Sequence, residues 1–397
     1  MIVAQINTEY GIGSTGRIVQ ELHDQLVRRG DICQVFCSGN HTNALPNSYR
    51  INSKIGLRIH QIQSRILGDQ GCHSSFATRK LVADLKALSP DVIHLHNLHG
   101  YYLNIEILFQ YLKSFHGKIV WTLHDCWAFT GHCTHFADVG CERWKSHCGN
   151  CPQLHSYPYS WFLDCSETLH RKKEVLFSNL NRMIIVTPSD WLASLVRKSF
   201  LGRYPIHTIH NGVDQTAFRP TDSCFRQQHH LEDRTILLGV AAAWSAKKGL
   251  DVFIQLAEQL SERYQIVLVG TDSAVEQMLP SKILSIRRTH DIQQLAEIYS
   301  AADIFINPTR ADTFPTVNLE AISCGTPVIT YDSCGCRETV PSGCGVVISE
   351  RSAEGIRNAL QKMDAEGRLS VKLHAPQFFD HSRAIQQYMA IYDDSIL

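Results

Sequence analysis

The sequence predicts an α/β protein built on two parallel sheets, each covered by helices on both faces. Three observations carry that expectation. Short apolar, β-branched runs alternate with amphipathic stretches along the chain. The rhythm starts twice, at Met1 and again after residue 230. A turn-rich phrase, YPIHTIHNGVDQTAFRPTDS, separates the halves, with the boundary near residue 210. Strands joined through helices at this spacing pair in parallel, because the crossover helix returns the chain to the same end of the sheet.

In chain order, MIVAQIN, DICQVFCSG, DVIHLHNL, KIVWTLHD and RMIIVTPS read as strands of the first half. RIVQELHDQLVRRG, NIEILFQYLKSF and WLASLVRKSFL read as its helices. In the second half RTILLGVAA, QIVLVGT, ILSIRRT, DIFINPT and PVITYD read as strands, and LDVFIQLAEQL, IQQLAEIYSAA and VNLEAISCG as helices. HSRAIQQYMAIYDD closes the chain as an amphipathic helix after a break at Ala375-Pro376. In open α/β sheets ligands sit beyond the carboxyl ends of the strands, so two such sheets facing across a cleft would present their post-strand loops to it.

Composition narrows the function classes. The 397 residues suffice for two domains, and a 44% hydrophobic, 19% charged chain is ordinary for a soluble protein. Lys plus Arg equals Asp plus Glu at 38 each, so no global charge draws the chain to nucleic acid. A local patch, as at Arg171, Lys172 and Lys173, stays open. MIVAQIN lacks the features of a secretion signal, and the longest apolar run, ILLGVAAAW, has nine residues where a membrane span needs about 20. The expected address is cytoplasmic, with peripheral contact at a membrane left open. Fourteen cysteines in a large chain without a leader read as thiols, not a disulfide scaffold.

Candidate sites follow the strands. Gly11, Gly13 and Gly16 spell G-x-G-x-x-G between the first strand and helix, a loop that lets backbone approach a phosphate. An NAD site would also want an acid ending the second strand. Val35-Phe36-Cys37-Ser38-Gly39-Asn40 offers none, which weakens a dehydrogenase reading. TLHDCWAFTGH puts His124 and Asp125 after another strand, where an imidazole could handle a proton or simply bond backbone. His94 and His96 share a strand face and His99 follows; packed histidines are the better reading there than a metal site. In AAAWSAKKGLD, Lys248 precedes a helix, where a cation can neutralise a diphosphate. In ADTFPTVNLEAISCGTPVI, Pro315 suits a helix's first turn, leaving the amides of Thr316 and Val317 for anionic oxygens. Glu320 lies a turn inside and could accept ribose hydroxyls; Asp312, before the helix, could hold a sugar. The plain alternative is a capped helix with a solvated Glu.

As a set, D-x7-E with AISCGTPVI, the glycine loop, TLHD, TPSDWL, HNGVD and KKGLD resemble the retaining GT-B glycosyltransferases of family 4 along nearly the whole chain. That resemblance implies a Rossmann-like acceptor domain over 1–209, with a Cys-rich insertion at about 130–155. It implies a Rossmann-like donor domain over 210–375, and a final helix in 376–397 that crosses back. It implies that Glu320 binds the ribose, Asp312 the donor sugar, and Lys248 the diphosphate with amides from Phe314 to Val317. His124 would lie near the reacting centre, and the Gly13 loop would close over phosphate or acceptor. The donor would be a UDP- or GDP-sugar and the acceptor a glycan or lipid-linked oligosaccharide of bacterial surface polysaccharide. Two departures stand out: Asp312 is shorter than the family's Glu, and Ala243 replaces its phosphate-binding Arg. No D-x-D triplet occurs, so no catalytic metal is expected.

Finally, Cys133, Cys141, Cys148 and Cys151 follow C-x7-C-x6-C-x2-C, which predicts a structural zinc knob against the alternative of reduced, partly buried thiols. Three other readings stay open: a nucleotide-sugar epimerase or phosphorylase of the same fold, a dehydrogenase, or a zinc-containing binding module.

Overall fold

The strands of the computed structural model, which describes residues 1–39, 47–367 and 379–395, form two sheets in which every pairing is parallel. The first structural unit comprises Met1–Ile209 with Ile385–Leu397, and the second His210–Ala384. The first runs β1 (Ile2–Asn7), α1 (Gly13–Arg28), β2 (Ile32–Cys37), β3 (Ser48–Arg50), α2 (Lys54–Leu67), α3 (Ser75–Leu88), β4 (Val92–Leu95), α4 (Ile105–Leu112), β5 (Lys118–Thr122), α5 (Ser166–Phe177), β6 (Met183–Thr187), α6 (Asp190–Arg197) and β7 (Ile206–Thr208). The second runs α7 (Phe225–Gln228), β8 (Thr235–Val240), α8 (Leu250–Gln259), β9 (Tyr264–Val269), α9 (Ser273–Glu276), β10 (Ile283–Ile286), α10 (Ile292–Ala301), β11 (Ile304–Asn307), α11 (Thr316–Ser323), β12 (Val328–Tyr331), β13 (Gly345–Ile348), α12 (Ala353–Ala365) and the start of α13 (His381–Tyr392). The expected break at Ala375-Pro376 lies outside the described residues.

Every residue of β5, KIVWT, is buried, as expected of a strand covered on both faces. In α1 the buried Val19, Leu22, His23 and Leu26 recur every three or four residues and turn one stripe to the sheet. Phe109 and Phe177 from α4 and α5 pack on Trp121 of β5, with ring centroids 5.0 to 5.5 Å from the indole. Each such aromatic, fully desolvated, costs about 3–5 kcal/mol to truncate to Ala. Residues from Ile385 onward complete the first unit: Lys118 Nζ donates to the carbonyls of Ile391 and Tyr392 at 2.5 and 2.8 Å. Among the described residues no helix is long and apolar enough to cross a membrane.

The strand orders are β3-β2-β1-β4-β5-β6-β7 and β10-β9-β8-β11-β12-β13. In each, chain direction across the sheet reverses once, between β1 and β4 and between β8 and β11. At such a switch point the two post-strand loops diverge and leave a crevice. The first crevice is bordered by the loops after Asn7 and Leu95, the second by those after Val240 and Asn307. Between β5 and α5, residues 123–165 hold neither strand nor α-helix, only 3-10 turns at Trp127–Phe129, Ala137–Val139 and Arg143–Lys145.

Candidate functional site

The second switch point gathers the charges. The loop after β8 ends in a 3-10 turn, Ala246–Lys248, and the loop after β11 lies against it. Arg310 N–H donates to Lys247 O at 2.9 Å, and the Arg310 guanidinium reaches Asp251 Oδ2 at 2.5 Å and the Ala246 carbonyl. Gly249 has φ +81°, and a Cβ there would sit 2.4 Å from Pro308 Cγ, so the close approach of the two loops requires glycine. The result is an ion pair between Lys248 Nζ and Asp312 Oδ2 at 2.7 Å, half-buried on the lysine side. The Asp312 carboxylate holds the ammonium above its ordinary range. The expectation gave these two residues separate ligands; in this state they neutralise each other. Two of the three ammonium protons point elsewhere, so the pairing leaves donors for phosphate oxygens.

The helix behind Asp312 begins at Thr316, and its N-cap, Pro315, makes no side-chain cap hydrogen bond. By contrast Asp272, Asp291 and Ser352 cap the helices they precede. Asp312 Oδ1 accepts from the Phe314 amide at 3.3 Å, and Pro315 has no N–H. Of the four residues expected to offer amides, Thr316 and Val317 therefore remain; a helix's first-turn N–H groups have no intrahelical acceptor and carry the positive end of its dipole. Glu320 is 7% exposed and accepts from the Tyr299 hydroxyl at 3.0 Å, so its carboxylate is held in one rotamer. Asn318 Nδ2 donates to Thr339 and its Oδ1 accepts from Asn307, locking α11 to β11. His210, from the HNGVD phrase, stacks on Phe314 with centroids 5.1 Å apart. Tyr299, Arg310 and His210 were not singled out in the sequence. Ala243 is exposed, and Arg310, the arginine at this junction, is committed to Asp251.

The first switch point is chemically the reverse. Gly11 and Gly13 both have positive φ, 74° and 66°, and the Gly11 amide donates to Gly16 O at 2.9 Å, closing the loop after β1. α1 starts at Gly13 with no side-chain cap and no acid in its first turn. Beside it three polar side chains form a chain. Gln5 Nε2 donates to Val19 O at 3.1 Å and Cys33 Sγ at 3.4 Å, which turns Oε1 toward His96 Nε2 at 3.3 Å. His96 Nε2 must then carry its proton. Burial lowers the basicity of His96 strongly, so its other nitrogen is a bare acceptor, 3.1 Å from His124 Nε2. His124 in turn donates through Nε2 and keeps Nδ1 as an acceptor, neutral because burial lowers its pKa to about 4. His94 is buried between Tyr392 and Thr122 hydroxyls at 2.6 and 2.8 Å. His99 pairs with Asp125 at 2.7 Å; burial alone would raise that carboxyl, but His99, His135 and the Trp127 amide together outweigh it and the pKa falls to about 2.

Cys133, Cys141, Cys148 and Cys151 line one cavity with Arg143 and Trp144. Burial pushes Cys133 and Cys151 up to about 12 and 11. All fourteen cysteines are free thiols.

With this geometry established, two sequence families match: Glycosyltransferase Family 4 over residues 15–217, just over half the chain, and Glycosyl transferases group 1 over 234–365. The putative colanic acid biosynthesis glycosyl transferase WcaC of Escherichia coli K12 is 23% identical over 371 residues, covering 88% of each chain. D-inositol 3-phosphate glycosyltransferase 1 of Catenulispora acidiphila is 30% identical over 220 residues, 48% of this chain and 52% of that one. Among solved structures, HepE of Anabaena in complex with UDP-glucose superimposes with a TM-score of 0.71 at 14% identity, over 99% of this chain and 100% of its own. Sucrose-phosphate synthase of Thermosynechococcus elongatus gives 0.66 at 18%, over 99% and 97%.

Proposed function

The chain belongs to glycosyltransferase family 4 and has the GT-B fold, and we propose that it moves a sugar from a UDP- or GDP-sugar to a glycan or lipid-linked oligosaccharide, with retention at the anomeric carbon. The observation that carries this reading is the Lys248–Asp312 pair beside the uncapped start of α11 and the fixed Glu320. In the proposed reaction Glu320 accepts ribose hydroxyls, and Lys248 with the Thr316 and Val317 amides binds the diphosphate. Asp312, released from Lys248 by that phosphate, takes a hydroxyl of the donor sugar. The anomeric C–O(phosphate) bond breaks, and positive charge gathers on the sugar while negative charge gathers on the leaving oxygen. Lys248 and the α11 dipole stabilise that charge. The acceptor oxygen bonds to the anomeric carbon on the face the phosphate leaves, and its proton passes to a leaving phosphate oxygen. The UDP-glucose in the HepE structure and the colanic acid named for WcaC support the donor class and the polysaccharide setting.

A membrane-face acceptor is supported by α2. Ile55, Ile59, Ile62 and Ile66 turn one apolar stripe outward, Ile55 being 72% exposed, and Lys54, Arg58 and Arg65 flank it without an acid in the helix. Trp161 N–H bonds Arg65 O at 2.6 Å, and Phe162, also 72% exposed, extends the stripe. An amphipathic basic helix of this kind lies in an anionic interface.

The test is a panel of UDP-, GDP- and dTDP-sugars with a lipid-linked acceptor extract, read by nucleoside diphosphate release and by NMR of the product's anomeric configuration. Release from one donor with retained configuration is expected. Release with inversion removes the retaining mechanism, and no release from any donor removes the reading.

A further inference from the structure

We propose that Cys133, Cys141, Cys148 and Cys151 hold one zinc ion as a structural tetrathiolate centre that closes residues 123–165 onto α5. The inference stands apart from the donor site. It starts from a folding problem: the segment between β5 and α5 is far longer than the roughly 12–15 residues a structureless loop ordinarily reaches, yet it contributes Phe129, Phe136 and Trp144 to the first unit's core. Something must offset the entropy of ordering it.

The four cysteines come from three stretches of the segment and line one cavity, and Cys148-x2-Cys151 supplies the tight pair such sites use. Hydrogen-bond donors reach the cavity. The Gly131 amide points at Cys148 Sγ at 3.2 Å. Glycine is required there, since a Cβ would lie 1.9 Å from Ser166 O. The indole N–H of Trp144, 2% exposed and lining the cavity, has no hydrogen-bond acceptor among the described residues. Four thiolates on Zn²⁺ leave a net double negative charge. Arg143 lines the cavity, and the buried Lys173 Nζ donates to the carbonyls of Trp127 and Thr130 at 2.7 and 2.9 Å. No three of the sulfurs lie within 4.8 Å of one another. Ligation at about 2.3 Å per Zn–S bond would bring them to about 3.8 Å apart, so the metal contracts the cavity. Each ligating thiol gives up its proton on binding.

The test uses the full chain purified from zinc-supplemented cells. Metal analysis should give about one zinc per chain, falling about tenfold or more in Cys148→Ser/Cys151→Ser and unchanged in Cys224→Ser, an exposed cysteine of the second unit. Should the double variant fail to fold, exchange of the native chain with Co²⁺ decides: a tetrahedral tetrathiolate gives intense visible bands and thiolate-to-cobalt charge transfer. Less than about 0.1 metal per chain overturns the proposal, as does a cobalt spectrum without thiolate charge transfer. Donor turnover is not among these readouts, so the two proposals fail separately.

Discussion

The two switch points occupy equivalent places in sheets of the same order, yet one centres on the neutral imidazoles of His96 and His124 and the other on the Lys248–Asp312 ion pair. Between β1 and β4, burial holds His96 and His124 neutral, and a chain from Gln5 sets which nitrogen of each carries its proton. Between β8 and β11, Lys248 and Asp312 keep opposite charges and Glu320 is aimed by Tyr299. The difference teaches that topology supplies the crevice while burial and partner charge decide its chemistry. A diphosphate calls for fixed positive charge, which the second crevice supplies through Lys248.

The largest expected effect lies on the charged side. Lys248→Ala and Glu320→Ala should each lower kcat/KM for diphosphate release by about 10²–10³, with melting temperature little changed for Lys248→Ala. A loss below tenfold in both would place the chemistry elsewhere. Asp312→Asn keeps the shape but frees the lysine; we expect a loss of about 10-fold or more, concentrated in sugar discrimination across the donor panel.

On the neutral side, His96→Leu leaves His124 without its acceptor, so its imidazole can flip tautomer. Activity should fall about 10-fold, and His96→Gln, which can still accept that proton, should restore part of it. Equal losses in both variants would reduce His96 to packing.

The pH dependence of stability separates the two regions further. The unfolded chain binds protons at its imidazoles below pH 6.5, whereas folded His124 and His60 resist until about 4 and about 3. Stability should therefore fall as pH drops from 7 toward 4. Lys248, raised by Asp312, contributes stability that is full below 10.5 and lost only as pH rises above it, so it leaves the neutral range flat. Thermal melts from pH 4 to 8 that are level in the wild type would refute the imidazole account. The smallest effect is Arg310→Ala: its half-exposed pair with Asp251 is worth under about 1 kcal/mol, a shift of about 2–4 °C at most.

Much of this was legible in the sequence, for identifiable reasons. Strands buried on both faces announce themselves as continuous apolar runs, so β1, β5 and β8 were readable. Asp312, Pro315 and Glu320 lie within one local element whose spacing sets their geometry. What was missed is long-range or two-faced. Tyr299 aims Glu320 from another helix, Arg310 bonds the first turn of α8 59 residues away, and Gln5 reaches His96 over 91 residues. No local pattern encodes such pairs. The stripe of α2 has the helical period, but periodicity does not say whether an apolar face turns in or out; here it turns out.

The most direct test of the charged switch point is calorimetric titration of UDP and GDP into the wild type and Lys248→Ala. One nucleotide should bind, with affinity level from pH 6 to 8 and weakened about tenfold or more by the substitution. Equal affinity in the two proteins would contradict the assignment of the diphosphate to Lys248 and the start of α11.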